Sequence, residues 1–546
     1  MATENKVIGL RSLPRRQVVI TMAGVMLAMF LSSLDQTIVS TAMPTIITDL
    51  GGFTQYTWVT TAYLITSTIA LPITGKLTDM YGRKYFYVVG IVIFTLGSLL
   101  CGLSQSMTQI IIFRGFQGIG AGIMMANAFT VIGDLFPPAE RGKFQGIISA
   151  VFGVSSVIGP PLGGLITDGL SWHWIFFVNV PLGIIVVLLF LFYFPHFRPD
   201  VQKHRVDYPG MTALVLAVVP LMLALTWGGV EYPWGSIQII GLFAFSAVMA
   251  LAFLIIESVA KEPIIPLSLF RNQIVSVSEL VVFLTGFVMF GTIIFIPLFF
   301  QGVLGLSATT SGSFLTPMML GLVFGSFVSG QMLSRTGGRY RMLGAGGLVI
   351  TAIGVFLLSR MTVDSSYAAA VMYIVVGGFG LGITLPLYII TVQNAVPYSM
   401  LGVATSSTAF FRTLGGSVGL AVFGSIMNNR FAVEFMRGLP PAITNNVPAA
   451  QLDTLSHNPQ ALLSADAQSQ LKGLLGNPGP QGAALFDQVL QALRHGLQSA
   501  LSQVFLIALV VLLVSLVIHL LIKEIPLRKQ HAGGDPAVEN RGKGKG

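Results

Sequence analysis

The chain has 546 residues, of which 53% are apolar and only 9% are charged, and its formal net charge is +9. A soluble protein carries about a quarter charged residues, so a chain with so few cannot cover a water-exposed surface, and we expect its outer surface to face lipid. One cysteine and seven scattered histidines exclude a disulfide framework and a metal site built from thiolates or imidazoles.

The sequence also lacks the short motifs of common enzymes. It contains no phosphate-binding glycine loop with its lysine, and no nucleophile elbow. We therefore predict that the protein is not an enzyme and that it has no catalytic residue, no bound metal and no cofactor.

Fourteen segments are long and apolar enough to cross a membrane, for which about 20 residues are needed. The first begins near Val18 and runs past Ala42 without a small-residue cleavage site, so we expect an uncleaved spanning helix rather than a secretory signal. In chain order the predicted spans are 18–44, 57–76, 85–104, 108–133, 142–167, 173–195, 209–228, 235–257, 274–300, 309–333, 342–360, 367–392, 400–427 and 497–522.

The basic residues are divided unevenly between the two sides of the predicted bundle. The two tails and the loops that join even to odd spans hold 23 of the 30 lysines and arginines. Basic loops stay on the cytoplasmic side of a membrane, so we expect both termini in the cytoplasm. The net charge then reflects basic loops facing an anionic leaflet, and no nucleic-acid partner is needed to explain it.

An internal repeat with an offset of 260 residues relates the two ends of the predicted bundle. It places span 4 on span 12 and span 5 on span 13, so each half has six helices, and spans 7 and 8 form an insertion. A substrate site between two such halves, near the membrane midplane, is typical of transporters. The repeated positions are Gly118, Gly120, Gly122, Pro137, Gly142, Gly159 and Gly164, which correspond to Gly378, Gly380, Gly382, Pro397, Gly402, Gly419 and Gly424.

This repeat divides the chain into five predicted parts. A short tail precedes the first six-helix bundle, a two-helix insertion separates the bundles, and a second tail follows. The second bundle contains an outer segment, 428–496, which the sequence leaves open as a spacer or as a cap near the exit path. The predicted bounds are 1–17, 18–200, 201–262, 263–523 and 524–546.

The loop between spans 2 and 3 combines one acidic residue with several basic ones. An aspartate at a helix end beside basic residues can form a charged latch between helices when the inner side is closed; the alternative is a tight turn that only marks the cytoplasmic side. The counterpart in the second half has Ser334 where the aspartate would be, so it lacks the acidic residue that such a latch needs. The predicted gating-loop residues are Gly75, Asp79, Gly82, Arg83 and Lys84.

Three further motifs lie inside spans. Span 1 contains Leu34–Val39 followed by Met43-Pro44, and span 4 contains Arg114 followed by a glycine-rich stretch. Span 5 contains Gly-Pro-Pro-Leu-Gly-Gly, where small residues allow close helix approach and a proline bends the helix. The residues of this span-5 motif are Gly153, Gly159, Pro160, Gly163 and Gly164.

In this order, over nearly the whole chain, these motifs resemble the fourteen-span drug:proton antiporter family of the major facilitator superfamily, which contains multidrug and quaternary-ammonium exporters. The resemblance implies an all-α membrane fold of two six-helix halves plus two inserted central helices. It further implies a monomer in the cell (inner) membrane, surrounded by lipids, that exchanges small amphipathic or hydrophobic compounds for protons by alternating access, with the proton gradient as energy source. An exporter of lipids or another endogenous amphiphile, and a non-transporting receptor or scaffold, are the alternatives.

Four ionisable residues lie inside predicted spans, where such groups are functional candidates. The predicted proton-coupling residues are Asp35, Arg114, Arg412 and Glu279. A carboxylate facing a cation stays ionised, whereas one isolated in apolar surroundings takes up a proton. Asp35 is therefore the leading proton carrier, with a permanent structural ion pair as the alternative; for Glu279 the sequence leaves cation recognition and a structural role open.

The composition favours an apolar and adaptable substrate cavity. The chain has 38 phenylalanines and 22 methionines, and methionine suits promiscuous binding surfaces. Few acidic groups lie in the spans, which argues against dications and favours a neutral or monovalent amphipathic substrate. The cavity candidates, chosen from spans that usually face the centre, are Trp58, Tyr63, Gln117, Met124, Asn127 and Gln393.

Overall fold

A computed structural model describes residues 14–50, 55–194, 205–304, 315–440, 443 and 480–528. Most of both predicted tails, the 198–204 loop, the start of predicted span 10 and the middle of segment 428–496 lie outside the described residues. Within the described ranges the long elements are helices, which we number in chain order. They are α1 (Arg15–Leu50), α2 (Tyr56–Tyr81), α3 (Arg83–Gly102), α4 (Met107–Leu135), α5 (Pro138–Gly169), α6 (Trp174–Phe177), α7 (Asn179–Tyr193), α8 (Tyr208–Trp227), α9 (Ile237–Val259), α10 (Gln273–Gly302), α11 (Leu315–Thr336), α12 (Tyr340–Ser359), α13 (Tyr367–Ala395), α14 (Leu401–Gly438) and α15 (Pro480–His519).

These helices account for the fourteen predicted spans. With α6 and α7 taken as one interrupted span, thirteen helices in the described part of the chain are long and apolar enough to cross a membrane. The fourteenth is α2, whose 26 residues include many threonines and tyrosines that lower its hydropathy. The all-α, multi-pass membrane fold predicted from the sequence is confirmed.

The two six-helix halves repeat the same packing. In the N half (α1–α7), α1 packs on α5 and α7, while α2 and α3 pack on α4. In the C half (α10–α15), α10 packs on α14 and α15, while α11 and α12 pack on α13. The halves meet along α5 with α11 and along α2 with α14. The inserted α8 and α9 pack on each other and reach the halves through α2 and α14.

The repeated glycines explain why the halves pack alike. Gly118 of α4 lies against the backbone of α2 at Tyr63, and its counterpart Gly378 of α13 lies against the backbone of α11 at Met318. A Cβ at either position would collide with the facing carbonyl oxygen, so only glycine permits this spacing. The 260-residue repeat therefore records equivalent helix crossings in each half.

Two helices extend well beyond the spans predicted from hydropathy. α14 has 38 residues and α15 has 40, so each is about 60 Å long, against a hydrocarbon core of about 30 Å. Beyond the membrane they still pack together, with Gly496 against Phe435 and Gly438 against Ala492. Both ends of the predicted outer segment 428–496 are therefore helical.

The last described residues, 520–528, form a C-terminal strap across the ends of the C-half helices. The Tyr340 hydroxyl donates to the Lys523 carbonyl at 2.7 Å, and the Asn394 amide donates to the Pro526 carbonyl at 3.2 Å. Two of its own side chains, those of Ile522 and Leu527, are buried. We call this side of the bundle, where α1 begins and α15 ends, the terminal face.

Candidate functional site

A network of buried polar side chains surrounds Asp35, which is fully buried in α1. Its Oδ2 accepts a hydrogen bond from Arg114 Nη1 of α4 at 2.5 Å. Its Oδ1 accepts hydrogen bonds from Gln117 Nε2 of α4 and Asn179 Nδ2 of α7, both at 2.9 Å. Three donors on two other helices, one of them a cation, therefore surround the carboxylate, an arrangement that favours a negative charge there.

Arg114 has partners besides Asp35. Its Nη1 also donates to Gln117 Oε1 at 2.9 Å, and its guanidinium carbon lies 4.2 Å from the centre of the Tyr63 ring. Its Nε donates to the carbonyl of Val59 at 3.4 Å. A buried ion pair is costly to break from one side, because the remaining charge is left uncompensated. These extra contacts lower that cost for Arg114.

Asn179 and Ser98 are the members of this network that the sequence did not predict as site residues, and Asn179 is the one that contacts Asp35. Its amide nitrogen donates both to Asp35 and to the hydroxyl of Ser98, the latter at 3.0 Å. It lies at the first residue of α7, directly after the break that separates α6 from α7. The available signal was a single amide residue at the start of a strongly apolar helix; its burial is seen only in the structure.

A second polar cluster, which we call the latch, joins the two halves at the terminal face. Asp79 Oδ1 accepts the backbone N–H of Gly402 at 3.0 Å, and Oδ2 accepts that of Val403 at 2.8 Å. These N–H groups belong to the first turn of α14, which lacks intrahelical partners and carries a partial positive charge. A side chain of the N half therefore caps a helix of the C half.

Arg83 completes the latch from α3. It donates to Asp79 Oδ1 at 3.0 Å and forms a two-point ion pair with Asp134 of α4. Gly82, between α2 and α3, has a φ of 90° that only glycine adopts without strain. Asp134 was missed from sequence; its signal was a carboxylate at the end of an otherwise uncharged stretch of span 4.

The remaining gating-loop residues have different surroundings. Gly75 lies so close to Ser406 and Gly402 of α14 that a Cβ would not fit. Lys84 points away from the latch and donates to the carbonyl of Leu191 at 2.8 Å. The structure thus brings Gly75, Asp79 and Arg83 to the boundary between the halves, and places Lys84 inside the N half.

The C-half counterpart of the latch is built differently. Asn394 stands 260 residues after Asp134, and its Oδ1 accepts the backbone N–H of Arg528 in the C-terminal strap at 3.1 Å. Among the described residues, neither Arg335 nor Arg339 forms an ion pair. Contacts with the strap occupy the position that carboxylate–arginine pairs occupy in the N half.

A further polar contact between the halves lies beside the latch. Arg141 of α5 donates to Gln393 Oε1 of α13 at 3.1 Å, and Gln393 Nε2 donates to the Thr405 hydroxyl at 3.0 Å. Nearby, Gly142 of α5 and Gly330 of α11 touch backbone to backbone. The terminal face is therefore closed in this structure, and Gln393, a predicted cavity residue, is part of the closure.

The span-5 motif supplies close contacts on both sides of α5. Gly159 and Gly163 lie against Thr37 and Thr41 of α1, while Gly153 lies against Val323 of α11 in the other half. Pro160 lies inside α5, and nothing lies within 4 Å of a Cβ built at Gly164. The motif therefore fits α5 tightly to α1 next to Asp35, and extends this tight packing to the opposite half.

The other predicted cavity residues are dispersed. Tyr63 and Gln117 belong to the Asp35 network, Met124 is part of the apolar core of the N half, and Asn127 is fully buried on α4. Trp58 is half-buried, and its ring lies 5.3 Å from that of Trp227 of the inserted α8. Their role in substrate binding stays a prediction.

The remaining predicted coupling residues both lie in the C half. Glu279 of α10 is buried, and its Oε1 accepts a hydrogen bond from the Thr408 hydroxyl of α14 at 2.8 Å. Arg412, also buried, lies one helical turn beyond Thr408 on α14. Of the four predicted coupling residues, the structure thus places one carboxylate and one arginine in each half.

Comparison with known proteins agrees with this architecture. The sequence profile of the Major Facilitator Superfamily matches residues 25–420. Two Bacillus subtilis proteins are similar: multidrug transporter protein MdtP is 40% identical over 541 residues (97% of each chain), and multidrug resistance protein 3 is 39% identical over 489 residues (89% of this chain and 91% of the relative).

Two solved structures share the fold at low sequence identity. The proton:xylose symporter XylE superimposes with a TM-score of 0.58 at 12% identity, covering 94% of this chain and 98% of its own. The human organic anion transporter MFSD10 (TETRAN) gives a TM-score of 0.57 at 13% identity, covering 92% of this chain and 100% of its own. At these identities the likeness shows the fold alone.

Proposed function

Because the chain belongs to the major facilitator superfamily, we propose that it is a proton-coupled antiporter that exports small amphipathic or hydrophobic compounds by alternating access. The observation that carries the proposal is the buried Asp35–Arg114 pair in the N half. The names of the two Bacillus subtilis relatives support multidrug export as the activity. The chain acts as a monomer in the cell membrane.

The Asp35–Arg114 pair suits a reversible proton site. A charge at membrane depth costs about 2.5–3.5 kcal/mol on insertion scales, so the carboxylate needs either its cation or a proton. When a helix shift separates the two residues, Asp35 takes up a proton, while Arg114 keeps its contacts with Gln117 and Tyr63. Protonation of the carboxylate is thereby coupled to the arrangement of α1 and α4.

A purely structural role explains this pair less well. Replacing a buried ion pair by well-packed apolar residues is often neutral or stabilising, so a receptor or scaffold would gain little from a carboxylate at this depth. The Asp35 network instead has the polar groups needed to hold a charge in two states; its members are Asp35, Tyr63, Ser98, Arg114, Gln117 and Asn179.

Alternating access follows from the position of the latch. We assign the terminal face to the cytoplasm from the distribution of basic residues, which makes the latch, including Asp79 and Arg83, a cytoplasmic gate that is closed here. The two halves, 18–200 and 263–523, rock about their contacts, and the insertion 201–262 follows α2 and α14.

Tags after residue 2, in the 198–205 loop and after Lys529 should then be cytoplasmic, and a tag at residue 460 should be accessible from outside.

The proposal is tested with purified protein in vesicles that have an acidic lumen. We expect ethidium, a monovalent amphipathic dye, to accumulate inside while entrapped pyranine reports a rising lumenal pH, since protons leave as dye enters. A fluorescent phospholipid analogue is assayed in parallel, because an exporter of endogenous amphiphiles would move it in preference to ethidium. Failure of every probe to respond to the proton gradient would leave the scaffold alternative standing.

A further inference from the structure

Glu279 has surroundings opposite to those of Asp35. It is 3% exposed, its Oε1 accepts one hydrogen bond from Thr408, and its Oε2 is buried without a hydrogen-bond partner among the described residues. An ionised carboxylate offers about four acceptor positions, and here only one is used. Asp35, by contrast, receives three donors that include a guanidinium.

The neighbouring helices bring little positive charge to Glu279. Among the described residues the nearest basic side chain on α14 is that of Arg412, one helical turn beyond Thr408, yet it forms no ion pair with Glu279. Tyr388 of α13 and His519 of α15 bond to each other, and among the described residues neither forms a hydrogen bond or an ion pair with Glu279. A buried carboxylate without a paired cation takes up a proton rather than remain charged.

The hydrogen bond to Thr408 links Glu279 to the latch. Thr408 follows Val403 by five residues, about one and a half turns of α14, and Val403 donates its N–H to Asp79. When Asp79 releases α14, the first turns of this helix move away from α2, and Thr408 moves with them. Glu279, less than two turns from the start of α10, then faces water at the terminal face.

We propose that Glu279 is a second proton-binding site, which holds a proton while the latch is closed and releases it at the terminal face when the latch opens. This inference rests on the proposed function and adds to it. With Asp35 ionised and Glu279 protonated in the same state, the two halves carry their protons at different stages of the cycle. Each cycle then moves one proton more than a transporter that uses Asp35 alone.

Infrared difference spectroscopy of the purified protein tests the protonation state without transport. We expect a carbonyl band of a protonated carboxylic acid at neutral pH that disappears in Glu279→Gln and shifts in Thr408→Val, which removes the hydrogen bond to Oε1. Glu434→Gln is the matched control. Glu434 is paired with Arg430 and Arg437, so it should not contribute to this band, and the band should remain in the control variant. If the wild type and Glu279→Gln have the same spectrum in this region, the inference is wrong.

The number of protons exchanged per ethidium molecule tests the role in transport. Glu279→Gln should exchange one proton fewer than the wild type and still accumulate dye to a smaller ratio, with an unchanged melting temperature showing that it folds. If the wild type shows no proton-driven transport, the proposed function fails. If it does and Glu279→Gln exchanges the same number of protons, only the second site is rejected.

Discussion

The carboxylate of Asp79 accepts the backbone N–H of Val403 at 2.8 Å, although the two residues are 324 positions apart and belong to different halves. The bond neutralises the N-terminus of α14 with an acidic side chain from α2, where a negative charge is favourable. In the proposed alternating-access cycle, opening the terminal face breaks this bond. We therefore expect opening to cost the free energy of that bond.

Asp79→Asn tests that cost. The amide oxygen can still accept one N–H of α14, but the charge is lost and Arg83 keeps only Asp134. Hydrogen bonds to charged groups contribute about 1.5–3 kcal/mol, so the closed state should lose at least about tenfold in population. Exchange should slow, while membrane insertion is unaffected. Ser334→Asn, at the equivalent position of α11, is the control. Unchanged transport by Asp79→Asn would show that the gating loop is only a tight turn on the cytoplasmic side.

Asp35→Asn should separate proton coupling from substrate movement. The amide keeps the shape of the carboxylate but cannot exchange a proton, so ethidium should no longer accumulate against a gradient, whereas counterflow should survive in part. Some loss of melting temperature is expected, because Arg114 loses its counterion. Asp49→Asn, on the same helix but bonded to Trp172, should behave as wild type. Proton-driven accumulation by Asp35→Asn at the wild-type rate would show that another residue carries the proton.

Truncation of the C-terminal strap should destabilise the C half. Ending the chain after Leu521 removes the buried side chains of Ile522 and Leu527, each contributing about 1.5–3 kcal/mol, and the bonds to Tyr340 and Asn394. We expect a clearly lower melting temperature. A chain ending after Arg528 keeps all these contacts and serves as the control; equal melting temperatures for the two would show that the strap adds no stability.

Deletion of residues 440–480 should leave the core of the bundle folded. α14 ends at Gly438 and α15 begins at Pro480, so the packing of Phe435 on Gly496 remains, and loops rarely hold such a bundle together. The melting temperature should change little. Efflux of bulky dyes should change more than efflux of small ones if the segment caps the exit path, whereas an equal effect on all dyes would favour a spacer.

Hydropathy and helix length were enough to predict the helical framework. Each membrane span requires about 20 apolar residues, so every span can be recognised from the local sequence. The repeated glycines indicate where helices pack closely within each half. This is why fourteen spans, two halves and an insertion could be inferred before the structure. α14 and α15 differ most from the predicted spans, and α1 is also longer than predicted, since a helix that continues into water no longer needs an apolar sequence.

Side-chain partners were decided by the tertiary structure. The sequence placed Asp35 and Arg114 at similar depth, but their contact depends on how α1 and α4 rotate about their axes, which close glycine packing sets. Asn179 and Asp134 gave no pattern that distinguishes a charge partner from an isolated polar residue. The bond from Asp79 to Val403 involves a backbone N–H, which every non-proline residue has, so only the approach of α2 to α14 could select it.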